Sequence, residues 1–157
     1  MIVTVEELGQ TSLYPEIIDT ITRGDQEAAE LQILAAESLC KSYLFKYDLN
    51  AAFGGVQAAS LPDEPPIYTP PTVTCPLLKK IVKMIASYYL VRLANPNVDL
   101  ELYRLDYQLA IDLLQDIRDG KNNLVELPYA KDDPETEDNE SDGSVAWSSN
   151  PKRIQHF

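Results

Sequence analysis

Residues 76–94 read PLLKKIVKMIASYYLVRLA, and the fold turns on them. Pro76 has no N–H to lose and its fixed φ suits a first helical position, so the segment predicts a helix that starts there. Its apolar residues lie almost all the way round at helical spacing. A helix of that kind is buried by neighbours on several sides, so this one is expected at the centre of an all-α domain. Lys79, Lys80 and Lys83 share one side near its start, which reads as a solvated edge or a basic contact patch. The longest uncharged run, Met84–Val91, is too short to span a bilayer, and no membrane partner is expected.

Further along, NPNVDL breaks the chain and Asp99 is placed to cap a second long helix ending near Gly120. Leu102, Leu109, Ala110, Leu113 and Ile117 form its expected buried stripe, with Tyr103 and Leu114 at the margin. Asp106 falls inside that stripe. A buried carboxylate must be paired or protonated, so Asp106, Tyr107 and Arg92 are expected as buried structural polar groups, with Arg92, Lys83 or a tyrosine as the partner of Asp106. NLVELPY, residues 123–129, reads as a short strand or an extended segment.

Towards the start, residues 50–75 contain FGGV and LPDEPPIYTPPTVTCP, too many breakers for a helix. They read as a long connection with two or three short strands around Ile67–Val73. A proline-rich ligand is the weaker reading. Residues 26 to about 47 carry Ala29, Ile33, Ala36, Cys40, Tyr43 and Tyr47 at steps of three and four, the mark of one helix face. Asp25 is placed to cap it. Glu27, Glu30 and Glu37 lie early and Lys41 and Lys46 late, an order that suits the helix dipole. Thr4 and Glu7 have capping-box spacing for a short first helix, and Pro15 opens another short one towards Ile21.

The whole chain of 157 residues carries a formal net charge of −12 and a pI near 4.4. Nucleic-acid binding needs clustered cations to displace counterions, so no sequence-specific nucleic-acid partner is expected. The opening MIVTVEELGQ lacks the basic start and apolar core of a signal peptide. Cys40 and Cys75 are expected as buried thiols in a reducing compartment, and one histidine cannot complete a Cys/His zinc site. GxGxxG, P-loop, HExxH and GxSxG motifs are all missing. No enzyme activity, cofactor or metal is expected.

Residues 132–142, DDPETEDNESD, hold seven acidic side chains, the composition of an extended, disordered spacer. Trp147, the sole tryptophan, follows, and then Lys152, Arg153 and Phe157. An aromatic and basic stretch on an acidic tether either folds back on the core or anchors on a partner. The expected organisation is a helical domain over 1–130, an acidic linker over 131–144 and a docking tail over 145–157.

Six segments taken together resemble the Mu-like phage head–tail joining family of connector or adaptor proteins. They are VTVEEL, ITRGD, AAESLCKSYLFKYDL, CPLLKKIVKMIASYYL, RLDYQLAIDLLQDIRDGKNNL and SSNPKRIQHF, in order along nearly the whole chain. The chain departs from the pattern where Asp106 precedes Tyr107 in place of an arginine, and in its longer, proline-richer central loop. The resemblance implies an all-α bundle of about four helices. It also implies a ring, often dodecameric, built from copies of the chain beneath the portal, with portal and tail proteins as partners and no chemistry of its own. It implies a place in the bacterial host cytoplasm during assembly and in the virion neck of a functional prophage. On this reading Trp147, Lys152, Arg153 and Phe157 contact the partner. The alternative is an acidic helical regulatory or DNA-mimic protein that binds a basic partner.

Overall fold

A computed structural model describes residues 1–57, 67–93 and 100–130. The all-α expectation holds. Six helices stand among the described residues: α1 (Val5–Thr11), α2 (Pro15–Thr22), α3 (Gln26–Tyr43), α4 (Leu49–Phe53), α5 (Pro76–Leu93) and α6 (Glu101–Arg118). The expected number was about four.

Local chemistry explains most helix ends. Thr4 closes a capping box on α1: its hydroxyl accepts from the Glu7 amide at 3.1 Å, and the Glu7 carboxylate accepts from the Thr4 amide at 3.4 Å. Pro15 opens α2, which stops at Arg23 (φ 58°) and Gly24 (φ 78°). The Asp25 carboxylate accepts from the Glu27 and Ala28 amides at 3.0 and 3.3 Å and starts α3.

Helix α5 is the centre, as its all-round apolarity predicts. It packs against α3 on one side, α6 on another and α2 on a third. Leu78, Ile81, Val82, Ile85, Ala86, Leu90 and Val91 are all buried. They meet Ala29, Ile33, Ala36 and Cys40 from α3 and Ala110, Leu114 and Ile117 from α6 in one core.

Three local expectations are corrected. Helix α3 ends at Tyr43, short of Tyr47. Tyr47 is still buried, but in a bridge to Tyr129, on whose ring it stacks at 5.2 Å. The breaker-rich stretch does hold a helix, because Asp48 caps α4 by accepting from the Asn50 and Ala51 amides at 2.9 and 3.0 Å. Only one strand lies between Ile67 and Val73. It is β2 (Ile67–Thr69), antiparallel to β1 (Gly55–Gln57), with Gly55 opposite Thr69. Thr72 and Val73 donate instead to the Ala51 carbonyl, each at 3.1 Å.

The buried stripe of α6 is also rotated. Tyr103, Tyr107, Ala110, Ile111, Leu113, Leu114 and Ile117 face the core, so Ala110, Leu113 and Ile117 are where the sequence places them, while Leu102, Leu105 and Leu109 are exposed. At ~100° per residue, the stripe sits roughly 70° round the helix from where the leucines place it. The cause is aromatic. Tyr107 stacks on Tyr88 at 4.6 Å and meets Tyr89 at 6.1 Å, so the tyrosines of α5 turn α6 towards them.

Candidate docking groove and uncovered faces

The same rotation carries Asp106 out of the core. It is exposed, and Arg92 is exposed too, with its guanidinium over the Tyr88 ring at 5.6 Å. Tyr107 alone of the three expected internal polar groups is half-buried, inside the tyrosine cluster. Burial there, with Tyr107 alongside, raises the Tyr89 hydroxyl above its ordinary pKa.

The buried acid is Glu37, with a relative exposure of 2%. Its carboxylate accepts from the Ile2 amide and lies 3.9 Å from the amino group of Met1, so it pins the first residues of the chain onto α3. Its position was readable: Glu37 follows Ile33 by four residues, on the edge of the apolar stripe. Burial, with Glu37 adding negative charge, pushes the neighbouring Cys40 thiol up to about 12. Cys75 is also a free, buried thiol raised by burial, and it donates to the Glu126 carboxylate at 3.6 Å.

Asp106 lies instead on the rim of a groove of about 620 Å³. The end of α1, the lysine side of α5 and the first half of α6 form its walls. Lys79 pairs with Glu7 at 3.0 Å, and its donated hydrogen bond holds the Glu7 carboxyl below the usual carboxylate range. Lys83 donates to the Thr11 hydroxyl at 3.0 Å. Lys80 is exposed and makes no ion pair or hydrogen bond with the described residues. Met84, Tyr103 and Leu109 supply apolar lining, and the buried Ser87 hydroxyl has no hydrogen-bond partner among the described residues. On a chain of net charge −12, this is a local concentration of positive charge.

Two leucine faces are uncovered. On α6, Leu102, Leu105 and Leu109 are 69%, 58% and 50% exposed, and on α3, Leu31 and Leu34 are 62% and 47% exposed. The sequence pattern assigns Leu102 and Leu109 to the core, whereas Leu31 and Leu34 fall off the face that Ala29, Ile33, Ala36 and Cys40 mark on α3.

Trp147, Lys152, Arg153 and Phe157 lie outside the described residues, as do Asp99 and the 131–144 linker. Among the described residues, no group of three or more His, Cys, Asp or Glu side chains is placed to hold a metal ion. No helix among them is long and apolar enough to cross a membrane.

The profile of the family described as Bacteriophage Mu, Gp36 matches residues 4–145. No curated protein and no solved structure matches the chain.

Proposed function

The chain belongs to the bacteriophage Mu Gp36 family, and from that premise we propose that it is a structural subunit of the head–tail connection in a phage or prophage particle. Copies of the chain join into a closed ring, with a portal protein on one side and tail proteins on the other. The observation that supports this reading is the pair of leucine faces. A ring is held by a heterologous contact, in which one patch of each subunit meets a different patch of the next. Leu102, Leu105 and Leu109 on α6 form one apolar patch, and Leu31 and Leu34 on α3 form another. Single exposed leucines are ordinary on a protein surface, but rows of them at helical spacing mark contact surfaces.

The charge fits the same role. A strongly acidic surface keeps free subunits apart, and an acidic lumen gives passing DNA nothing to stick to. Lys152, Arg153 and Phe157 then serve as the anchor that reaches the adjacent subunit or the portal.

Native mass spectrometry of the full chain, alone and mixed with its portal protein, tests the proposal. The expected result is one discrete closed oligomer, lost in Leu105→Arg and in Leu31→Arg while each variant keeps its helical circular dichroism. The reading falls if no closed oligomer forms under either condition, or if both variants assemble as the unaltered chain does.

A further inference from the structure

The lysine groove has the wrong sign for its surroundings. Three cations line one wall of α5, Asp106 alone opposes them among the groove-lining residues, and Lys80 has no described partner. Below them lie Met84 and Leu109, which are apolar, and the unpartnered Ser87 hydroxyl. An occupant that matches is acidic and carries a large apolar side chain. The chain contains such a segment. Residues 132–142 carry seven carboxylates, and Trp147 follows five residues later.

Its starting point is also tied to a helix that walls the groove. The Ala130 amide donates to the Lys46 carbonyl at 3.0 Å, and the Lys46 ammonium donates to the Arg118 carbonyl at 2.9 Å. Ala130 therefore lies near the last turn of α6, joined to it through Lys46. The groove residues Leu109 and Tyr103 lie nine and fifteen positions back along that helix, about 14 and 23 Å at 1.5 Å per residue. The seventeen steps from Ala130 to Trp147 span up to ~55 Å extended, so the segment arrives with slack. A tethered segment also meets its site at an effective concentration in the millimolar range, which no free partner matches.

We infer that the groove between the end of α1, α5 and α6 is the docking site for the acidic stretch 132–142 and Trp147 of the same chain. The carboxylates lie along Lys80 and Lys83, and the Lys79–Glu7 pair closes the end of the wall. Trp147 rests on Met84 and Leu109, where a thioether and an ammonium both suit an aromatic ring. Residues 148–157 then emerge from a fixed point on the domain. The inference stands whether or not copies of the chain form a ring.

Because Trp147 is the sole tryptophan, its emission reads the docking in the full chain without a label. The expected result at low salt is a blue-shifted emission, shielded from acrylamide. Lys80→Glu with Lys83→Glu is expected to shift it to the red and to raise the quenching constant several-fold. A second variant leaves the folded body untouched: Asp133→Asn, Glu135→Gln, Glu137→Gln, Asp138→Asn and Glu140→Gln together. It is expected to give the same red shift. Mixing the lysine variant with Trp147→Phe chains separates the two sources of an intact groove. No recovery of the blue shift is expected. Recovery places Trp147 in a neighbour's groove and overturns the inference. So does a solvent-exposed Trp147 in the unaltered chain, or a blue shift that survives both variants. A ring that assembles with Trp147 exposed sinks this inference and leaves the connector reading standing. A shielded Trp147 in a chain that never assembles does the reverse.

Discussion

Glu37 and Cys40 sit one turn apart on α3, and each carries a consequence at the scale of a single side chain. The Glu37 carboxylate is buried and accepts from the Ile2 amide. Removing an acceptor from a buried donor costs the donor's lost hydration as well as the bond. Glu37→Ala is therefore expected to destabilise the domain by about 2–3 kcal/mol in urea unfolding, and Glu37→Gln by less, because the amide oxygen still accepts. Cys40 is held neutral. Its pKa rises from an ordinary 9.0 to about 12 on folding. A group with a raised folded pKa contributes fully below its unfolded value and loses that contribution as pH climbs towards the folded one. Cys40 accordingly favours the folded state below pH 9 and ceases to between 9.0 and about 12. A disulfide reagent at pH 8 should label neither Cys40 nor Cys75 in the native chain and both in urea. Rapid labelling of native Cys40 would show that the α3–α5 contact opens readily.

At the scale of elements, five of the six helices announce their starts or stops in short-range chemistry. Thr4 with Glu7, Pro15, Asp25, Pro76 and Gly120 each act within four residues, which is why they could be read directly. Helix α4 was hidden because Asp48 caps only five residues, and the glycines and prolines that follow outweigh it. Gly54 ends α4 at φ 81°, and a Cβ there would collide with the Thr69 carbonyl. Gly54→Ala is thus expected to cost more than about 1 kcal/mol in thermal unfolding and to separate β1 from β2. The face of α6 was misread for a different reason. Periodicity alone ranks Leu102 and Leu109 above Tyr103 and Tyr107, and the Tyr88–Tyr107 stack that reverses the ranking joins residues nineteen positions apart. Two substitutions separate the faces. Leu114→Ala is expected to cost about 2–5 kcal/mol, whereas Leu105→Lys should stay within about 0.5 kcal/mol in the isolated domain. Asp106 follows the same rotation: once α6 turns, a residue expected to need a buried partner becomes part of a groove rim.

For the whole molecule, charge acts in two opposite directions, and salt tells them apart. Each chain carries −12, so bringing copies together through leucine faces works against mutual repulsion. Salt screens that repulsion: the Debye length falls from ~30 Å at 0.01 M to ~8 Å at 0.15 M. Apolar contact between Leu105 and a neighbour is little affected over that range. The closed oligomer is therefore expected to grow in population as salt rises, read by light scattering at fixed protein concentration. The inferred docking of residues 132–142 on Lys80 and Lys83 would rest on attraction between opposite charges, so the same salt is expected to weaken it. Trp147 emission should shift to the red over the interval in which the oligomer gains. The two curves need not share a midpoint, because one depends on chain concentration and the other is intramolecular. Diluting the sample tenfold should move the scattering curve and leave the fluorescence curve in place. If both moved together, the acidic stretch would be binding between copies, and the leucine faces and the lysine groove would be two parts of one interface.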